Sequence, residues 1–395
     1  MNTEELIALS EQCIMHTYRR FPIVLVKGSG ARVWDSEGKE YLDFVAGIAV
    51  CSLGHAHPKV VDAIQKQVEL LTHVSNLYYI EPQIHLAGLL VEHSFADKAF
   101  FCNSGAEANE AAIKLARKYA HDSIEGNRYE IITMEDSFHG RTLATVTATG
   151  QEKFQAGFDP LPAGFRYVPF NDISAVERAV SEHTCAIMVE PIQGEGGIKV
   201  PDDGYLQSLR SLCDERDLLL IFDEVQVGMG RTGTLFAYEK SGITPDIMTL
   251  AKALGNGYPV GAMLASDTVA SAFGPGNHAT TFGGNPLGMS ACLAVMDTLL
   301  NDGILEHCRS MSTYFFDRLG ALAERHAEIC GVRGEGLIAG LELTCPGDEI
   351  VWKAMEKGLL INCTSGNILR FVPPLVITED EVDQAINIMD EVIGS

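Results

Sequence analysis

Leu218-Leu219-Leu220-Ile221-Phe222-Asp223-Glu224 is the stretch on which the fold turns. An unbroken apolar run of this kind suits a strand covered on both faces, the habit of parallel sheets, rather than a strand with one wet face. It closes on two acids. In open α/β sheets the carboxyl ends of the strands border the crevice where ligands bind, so acids there face either a site or a structural partner. Working outward, short β-branched runs recur at residues 130–134, 185–190, 246–250 and 261–265, with helical patterning between several of them, as at 202–216. Strands alternating with helices across the middle of the chain predict an α/β domain with a mostly parallel sheet.

The two ends read differently. Residues 24–46 contain a hairpin, 31–35 and 40–44, turned at Ser36-Glu37-Gly38. The C-terminal part mixes helix with short strands and finishes on an amphipathic helix: Thr378 and Glu381 have capping-box spacing, with Val382, Ile386, Met389 and Ile393 on one face behind them. The expected organisation is a large α/β domain over 51–300 and a smaller α+β domain assembled from 1–50 and 301–395. No internal repeat or low-complexity linker interrupts it.

At 395 residues the chain is long enough for two or three domain-sized units, and 46% hydrophobic with 21% charged residues excludes disorder and fibrous repeats. With 29 Lys+Arg against 53 Asp+Glu, the net charge of -24 argues against nonspecific binding to nucleic acid or to an anionic membrane. A local cluster of backbone donors can still override that field for a small anionic ligand. The first residues lack the basic start of a secretory signal, and no apolar run approaches the ~20 residues of a bilayer span, so the chain reads as cytoplasmic with no membrane partner. Ten scattered cysteines without a C-x-x-C pair read as free thiols. Asn362-Cys363-Thr364 matches a glycosylation sequon, which has no meaning outside the secretory pathway.

Four segments bear chemistry, and each alone has a plainer reading. Asn103-Ser104-Gly105-Ala106 leads from the Phe100-Phe101-Cys102 run into a helix, leaving N–H groups uncovered at its positive end; this is a phosphate cradle or simply an N-cap by Ser104. On that helix Glu110 and Lys114 have the spacing of an ion pair. Asp223 at its strand end can keep a heteroaromatic nitrogen protonated, or make a structural salt bridge. Lys252, in Thr249-Leu250-Ala251-Lys252-Ala253-Leu254-Gly255, is an amine made nucleophilic by desolvation, or a lysine reaching to the surface. Thr280-Thr281-Phe282-Gly283-Gly284 offers hydroxyls to a phosphate, or an ordinary turn.

Two motifs mislead. Gly228-Met229-Gly230-Arg231-Thr232-Gly233 fits the dinucleotide pattern G-x-G-x-x-G and raises a nicotinamide oxidoreductase as the rival from another class. However, Gln226 and Val227 intervene after the acids, and no long helix follows the glycines. His55-Ala56-His57 suggests a metal pair, but no third ligand stands at suitable spacing, and no metal is expected.

In one order these signals gain force. The segments GHAHPKVVDAI, NSGAEANEAAIKLAR, FHGRT, EPIQGEGG, IFDEVQVGMGRTG, TLAKALGNGYPVGAML, TTFGGNPLG and LRFVPPL, running from Gly54 to Leu375, resemble the class III aminotransferases of fold type I. The resemblance implies pyridoxal 5'-phosphate as cofactor and a homodimer with shared active sites. By position it implies Lys252 as the lysine that bonds the cofactor and carries the proton, and Asp223 as the partner of the pyridine nitrogen. Gln226 would bond the ring hydroxyl, and Phe138 would stack on the ring. Gly105 and Ala106 would hold the phosphate through backbone N–H groups, with Thr281 adding a hydroxyl from the partner subunit.

The implied reaction takes the δ-amino group of N-acetylornithine to 2-oxoglutarate, giving N-acetylglutamate 5-semialdehyde and glutamate in arginine biosynthesis. Succinylornithine, ornithine and 4-aminobutyrate are the alternative donors. One substrate presents a carboxylate far from the reacting amine and the other presents one beside it, and guanidiniums recognise carboxylates bidentately. Arg141 matches the family's distal clamp and Arg370 the proximal one. Glu195 matches the acid that neutralises Arg370 in the acylornithine half-reaction, and Thr280 would line the acylornithine site. Arg19 and Asn256 depart from the family pattern, the first near the pocket entrance at Tyr18.

Overall fold

Seven strands form the central sheet of the computed structural model, which describes residues 1–123 and 127–394. In chain order they are β1 (Lys98–Cys102), β2 (Glu130–Met134), β3 (Phe165–Val168), β4 (Thr184–Val189), β5 (Leu219–Asp223), β6 (Ile247–Leu250) and β7 (Gly261–Ala265). Their order across the sheet is β1-β7-β6-β5-β4-β2-β3. Neighbours from β6 to β3 pair in parallel, whereas β7 runs antiparallel to both β6 and β1. Every residue of β4, β5, β6 and β7 is buried, as the unbroken apolar runs require, while the edge strands β1 and β3 expose residues. In β3 an arginine interrupts the apolar residues, and in β1 the apolar run Ala99–Cys102 is short and leads straight into a helix, so neither edge stood out as a strand. Truncating a core residue such as Ile221 to alanine costs about 2–5 kcal/mol.

The helix Gly105–Ser123 lies against this sheet through Ala108, Ala111, Ala112, Leu115, Ala116 and Ala120, small side chains that let it approach closely. The helix expected over 202–216 occupies Tyr205–Arg216.

The ends of the chain meet. The predicted hairpin forms as Arg32–Asp35 and Glu40–Asp43, joined on one side by the unpredicted strand Leu25–Ser29. On the other side Leu359–Leu360 pairs in parallel with Leu42 and Asp43, so one sheet draws strands from both termini. A third, antiparallel sheet comprises Ile329–Glu335, Ile338–Leu343, Ile368–Phe371 and Asn362–Thr364. The last helix, Glu379–Ile393, begins on the expected capping box, with Glu381 N donating to Thr378 Oγ1 at 3.3 Å and Thr378 N to Glu381 Oε2 at 3.1 Å. Among the described residues no helix is long and apolar enough to cross a membrane.

Candidate active site

The parallel register sets the site. Asp223, last residue of β5, pairs with Thr249 of β6, so the segment after β6 that carries Lys252 leaves the sheet beside the Asp223 carboxylate. The N-terminus of helix Gly105–Ser123, which follows β1, opens onto the same end. Between them lies a cavity of about 440 Å³ lined by both residues.

Lys252 sits in the left-handed region at φ 42°, a conformation costly for a residue with a Cβ and one that clusters at functional sites. Burial pushes its ammonium down to about 8; Arg370 pushes the same way, while Glu195, Asp223 and Glu190 oppose it. At pH 7 about a tenth of such an amine is neutral, against one in a few thousand for an ordinary lysine. A neutral amine in a part-buried cavity is a competent nucleophile toward a carbonyl.

Asp223 is held rigidly. Its Oδ2 accepts from His139 Nδ1 at 2.8 Å and from Asn109 Nδ2 at 2.7 Å, and its Oδ1 accepts from Val225 N at 3.0 Å. Asn109 is fixed in turn, donating to His139 O at 2.8 Å and accepting from Thr249 Oγ1 at 2.7 Å. All four side chains are buried. The result is an acceptor locked toward the cavity, suited to a ring N–H.

At the helix N-terminus, the N–H groups of Gly105 and Ala106 have no acceptor among the described residues. Ser104 caps Glu107 N at 3.2 Å, and the Glu107 carboxylate turns back onto Asn103 instead of entering the cradle. A Cβ on Gly105 would come within 2.7 Å of Val225 Cγ1, so the backbone can run this close to the strand end only as glycine. Phe138 supplies an aromatic wall, and Arg141 is braced at the mouth with its guanidinium 3.9 Å from the centre of the Phe154 ring and 5.3 Å from that of Phe138. Free N–H donors, an aromatic wall, a fixed acid and an amine together fit a phosphorylated heteroaromatic aldehyde.

Arg370, in the strand Ile368–Phe371, is 1% exposed, and its Nη1 donates to Glu195 Oε1 and, at 3.4 Å, to Gln226 Oε1. Its Nε donates to Asn362 Oδ1 at 3.1 Å. Burial by itself raises the Glu195 carboxyl, but Arg370, Lys252 and a bond from Gln226 outweigh it and hold it below the usual range. Glu190 lies deeper, accepting from Phe138 N at 2.8 Å and Gly194 N at 3.2 Å; burial raises its carboxyl.

The structure thus brings Lys252, Asp223, Gly105, Ala106, Phe138, Gln226, Arg141 and Glu195 to one cavity, with Arg370 directly behind Glu195 and Gln226. Thr280 and Thr281 stand outside it. Thr280 Oγ1 accepts from Asn103 Nδ2 at 3.3 Å at the rim, and Thr281 is exposed. Sequence reasoning passed over His139, Asn109, Thr249 and Glu190. Asn109 left a signal, a polar residue on the alanine face of its helix.

The ion pair expected between Glu110 and Lys114 does not form. Glu110 accepts from Thr142 Oγ1 at 2.5 Å, and Lys114 reaches Asn277 O at 3.0 Å and His278 Nδ1 at 2.9 Å, partners that intrahelical spacing cannot reveal. The Gly228–Gly233 loop is structural: Arg231 is wholly buried and donates to the carbonyls of Leu337 and Pro373 and, at 2.9 Å, to Ser52 Oγ. His55 Nε2 pairs with Asp43 Oδ2 at 2.8 Å, a satisfied loop contact.

Comparison with known proteins agrees with this geometry. The family model described as Aminotransferase class-III matches residues 13–393. The acetylornithine aminotransferase of Caldanaerobacter subterraneus subsp. tengcongensis is 57% identical over 98% of this chain and 99% of its own, and that of Methanocaldococcus jannaschii is 53% identical over 99% and 98%. Among solved structures, N-acetylornithine aminotransferase from Stenotrophomonas maltophilia is 40% identical with a TM-score of 0.84, covering 98% of each chain. Ornithine aminotransferase from Toxoplasma gondii is 33% identical with a TM-score of 0.95, over 100% of this chain and 95% of its own. On its sheet order, its lysine and acid at neighbouring strand ends, and this likeness over nearly the whole chain, the protein belongs to the class III aminotransferases.

Proposed function

We propose that the protein is a cytoplasmic, pyridoxal 5'-phosphate-dependent transaminase of arginine biosynthesis. It moves the δ-amino group of N2-acetyl-L-ornithine to 2-oxoglutarate, yielding N-acetyl-L-glutamate 5-semialdehyde and L-glutamate. The observation that carries this reading is the pair of arginines at different places around Lys252. Arg141 stands at the mouth with no acid partner among the described residues, and Arg370 stands behind the cavity neutralised by Glu195. With Glu195 in place Arg370 is quiet, and a donor whose only carboxylate is distant meets Arg141. With Glu195 displaced, Arg370 takes the carboxylate of glutamate beside the reacting carbon.

When bound, the cofactor supplies an electron sink for the substrate carbon that loses and regains a proton. Lys252 would attach it and move that proton on Nζ. The Asp223 carboxylate, oriented by His139 and Asn109, would accept from the ring N–H, and the Gln226 amide would bond the ring hydroxyl. The N–H groups of Gly105 and Ala106 would hold the phosphate, and Phe138 would cover a ring face and exclude water.

The reading includes a homodimer. Leu70, Leu77, Tyr78, Tyr79 and Phe282 are exposed, Leu77 at 84% and Tyr79 at 96%. Asn76, within this run, donates to Gly283 O at 3.0 Å, which places the Thr280–Thr281 turn on the same apolar face. A patch of this character marks an interface, and a second copy seated there would bring Thr281 to its neighbour's phosphate and Thr280 to its acylornithine site. The same reading divides the chain into a large unit over 51–300 and a smaller one from 1–50 and 301–395, supported by the sheet shared between the termini.

Second-order rate constants for acetylornithine, succinylornithine, ornithine and 4-aminobutyrate test the donor, and ornithine turned over as fast as its acetylated form would refute it. Reduction with borohydride followed by peptide mapping tests the cofactor. Label on any residue other than Lys252, or on none, removes its basis.

A further inference from the structure

The segment between the helix Thr3–Cys13 and the strand Leu25–Ser29 carries Arg19 and Arg20, both exposed. Neither guanidinium has an acid or hydrogen-bond partner among the described residues; Arg20 lies 5.6 Å from the centre of the Tyr18 ring. Unpartnered neighbouring cations are notable in a chain with 53 acids against 29 Lys+Arg. They line a cavity of about 230 Å³, separate from the one containing Lys252. One wall is the edge-to-face pair of Phe21 and Trp352, ring centres 5.1 Å apart, and Asp348 is the one acid in the lining.

The cavity also reaches Asn362. Asn362 stands opposite Arg370 in the strand register, and its Oδ1 accepts the Arg370 Nε–H at 3.1 Å. The cavity the two cations line therefore comes within one side chain, Asn362, of the residue that receives a carboxylate beside the reacting carbon. A dicarboxylate approaching a protein of net charge -24 meets an unfavourable field, and a local cluster of cations reverses it over the last ångströms, concentrating the anion at the cavity that reaches Asn362. Charges spaced within a Debye length, about 8 Å at physiological ionic strength, act together on such an ion.

We propose that Arg19 and Arg20 form a vestibule that gathers the dicarboxylate co-substrate and delivers it to Arg370. The proposal rests on the transamination reading above and adds to it a second anion-binding place specific to one of the two half-reactions. The ligand class is a small dicarboxylate, doubly negative in its oxo form and singly negative as the amino acid, whereas the acylated diamine donor is net neutral.

The test uses the full-length, cofactor-loaded enzyme in three forms: wild type, Arg19→Gln/Arg20→Gln, and Arg19→Lys/Arg20→Lys. Single-turnover rate constants are measured for 2-oxoglutarate, glutamate and acetylornithine from about 20 mM to about 500 mM ionic strength. In the glutamine variant at low salt, the second-order constant falls about tenfold for 2-oxoglutarate, about threefold for glutamate and less than twofold for acetylornithine. The differences close as salt rises, and the lysine variant stays near wild type. Equal losses for all three substrates, losses indifferent to salt, no loss, or a lysine variant as impaired as the glutamine one each overturn the vestibule. A wild type inert toward acetylornithine overturns the transamination reading and the vestibule with it, so the two failures are told apart by the unmutated enzyme.

Discussion

Replacing Glu195 with glutamine removes the only acid among the described residues that pairs with Arg370, a guanidinium 1% exposed. Breaking a fully buried ion pair from one side costs about 3–5 kcal/mol, because the remaining charge is left uncompensated. Here the cost is smaller: the Glu195 side chain is 27% exposed, a glutamine carbonyl still accepts one bond, and Asn362 and Gln226 keep theirs. About 2 kcal/mol is a reasonable share, or roughly thirtyfold in a rate or binding constant. That penalty falls on the acylornithine half-reaction alone, in which no substrate carboxylate reaches Arg370. In the glutamate half-reaction the substrate supplies the missing negative charge, and no acid has to be displaced first. In Glu195→Gln the ratio of glutamate to acetylornithine half-reaction constants, each measured by stopped flow, should rise by about thirtyfold. A fall by one common factor in both halves, or an acetylornithine half-reaction untouched, would refute the assignment of Glu195 as the neutralising acid.

Arg141→Ala should lower the acetylornithine constant by one to two orders of magnitude, as loss of a bidentate carboxylate contact does, with a smaller effect on glutamate; the same stopped-flow pair checks it, and equal losses count against the distal clamp. Asp223→Asn should cut both half-reactions on the order of a hundredfold and shift the visible absorption of the bound cofactor while leaving far-UV circular dichroism unchanged. Wild-type rates in this variant would remove Asp223 from the chemistry. Glu224, which accepts from Ala237 N at 2.6 Å and Tyr238 N at 2.7 Å, is raised by burial to about 8, those two bonds pulling the other way. Its folded value exceeds its unfolded one, about 4.3, so the stability it contributes at low pH is lost as pH rises between about 4 and about 8. Tm should therefore decline with pH across that window more steeply in wild type than in Glu224→Gln; parallel curves would show that Glu224 does not hold its proton in the folded chain.

What the sequence disclosed follows from how each feature is encoded. The central strands were legible because burial on both faces forces continuous apolar runs, and 130–134 and 261–265 match β2 and β7 residue for residue. The edge strands β1 and β3 were not: the half-wet β3 has no distinctive composition, and the short run Ala99–Cys102 of β1 reads only as the approach to the helix that follows it. The strand Leu25–Ser29 is largely exposed and gave no periodic signal. At the site, residues with a chemical identity stood out: a lysine in an apolar setting, an acid at the end of an apolar strand, paired hydroxyls beside glycines. Supporting residues did not. His139, Asn109 and Thr249 act by holding Asp223 across four separate segments, and nothing local to any of them marks a bond to a strand end more than a hundred residues away for Asn109. Glu110 and Lys114 show the converse: a local rule satisfied in sequence and overridden by tertiary partners.

The charge arrangement around Lys252 links recognition to reactivity. Arg370 and Glu195 act on the lysine amine with opposite sign, the cation lowering its proton affinity and the carboxylate raising it. While the two are paired they oppose each other at Nζ, and burial, the largest influence, brings the amine down to about 8. Displacing Glu195 from Arg370 leaves the guanidinium free to act until an incoming carboxylate replaces the lost charge. The device that distinguishes the two substrates thus also changes the field at the amine that handles the proton. An empty proximal clamp makes Lys252 a weaker base, and a filled one restores it. Glu195→Gln should therefore carry a second signature besides altered selectivity: the acidic limb of its acetylornithine half-reaction profile, where it reports Lys252, moves to lower pH, while the corresponding limb with glutamate stays near wild type. An unshifted acetylornithine limb would mean that Glu195 governs recognition without touching the lysine.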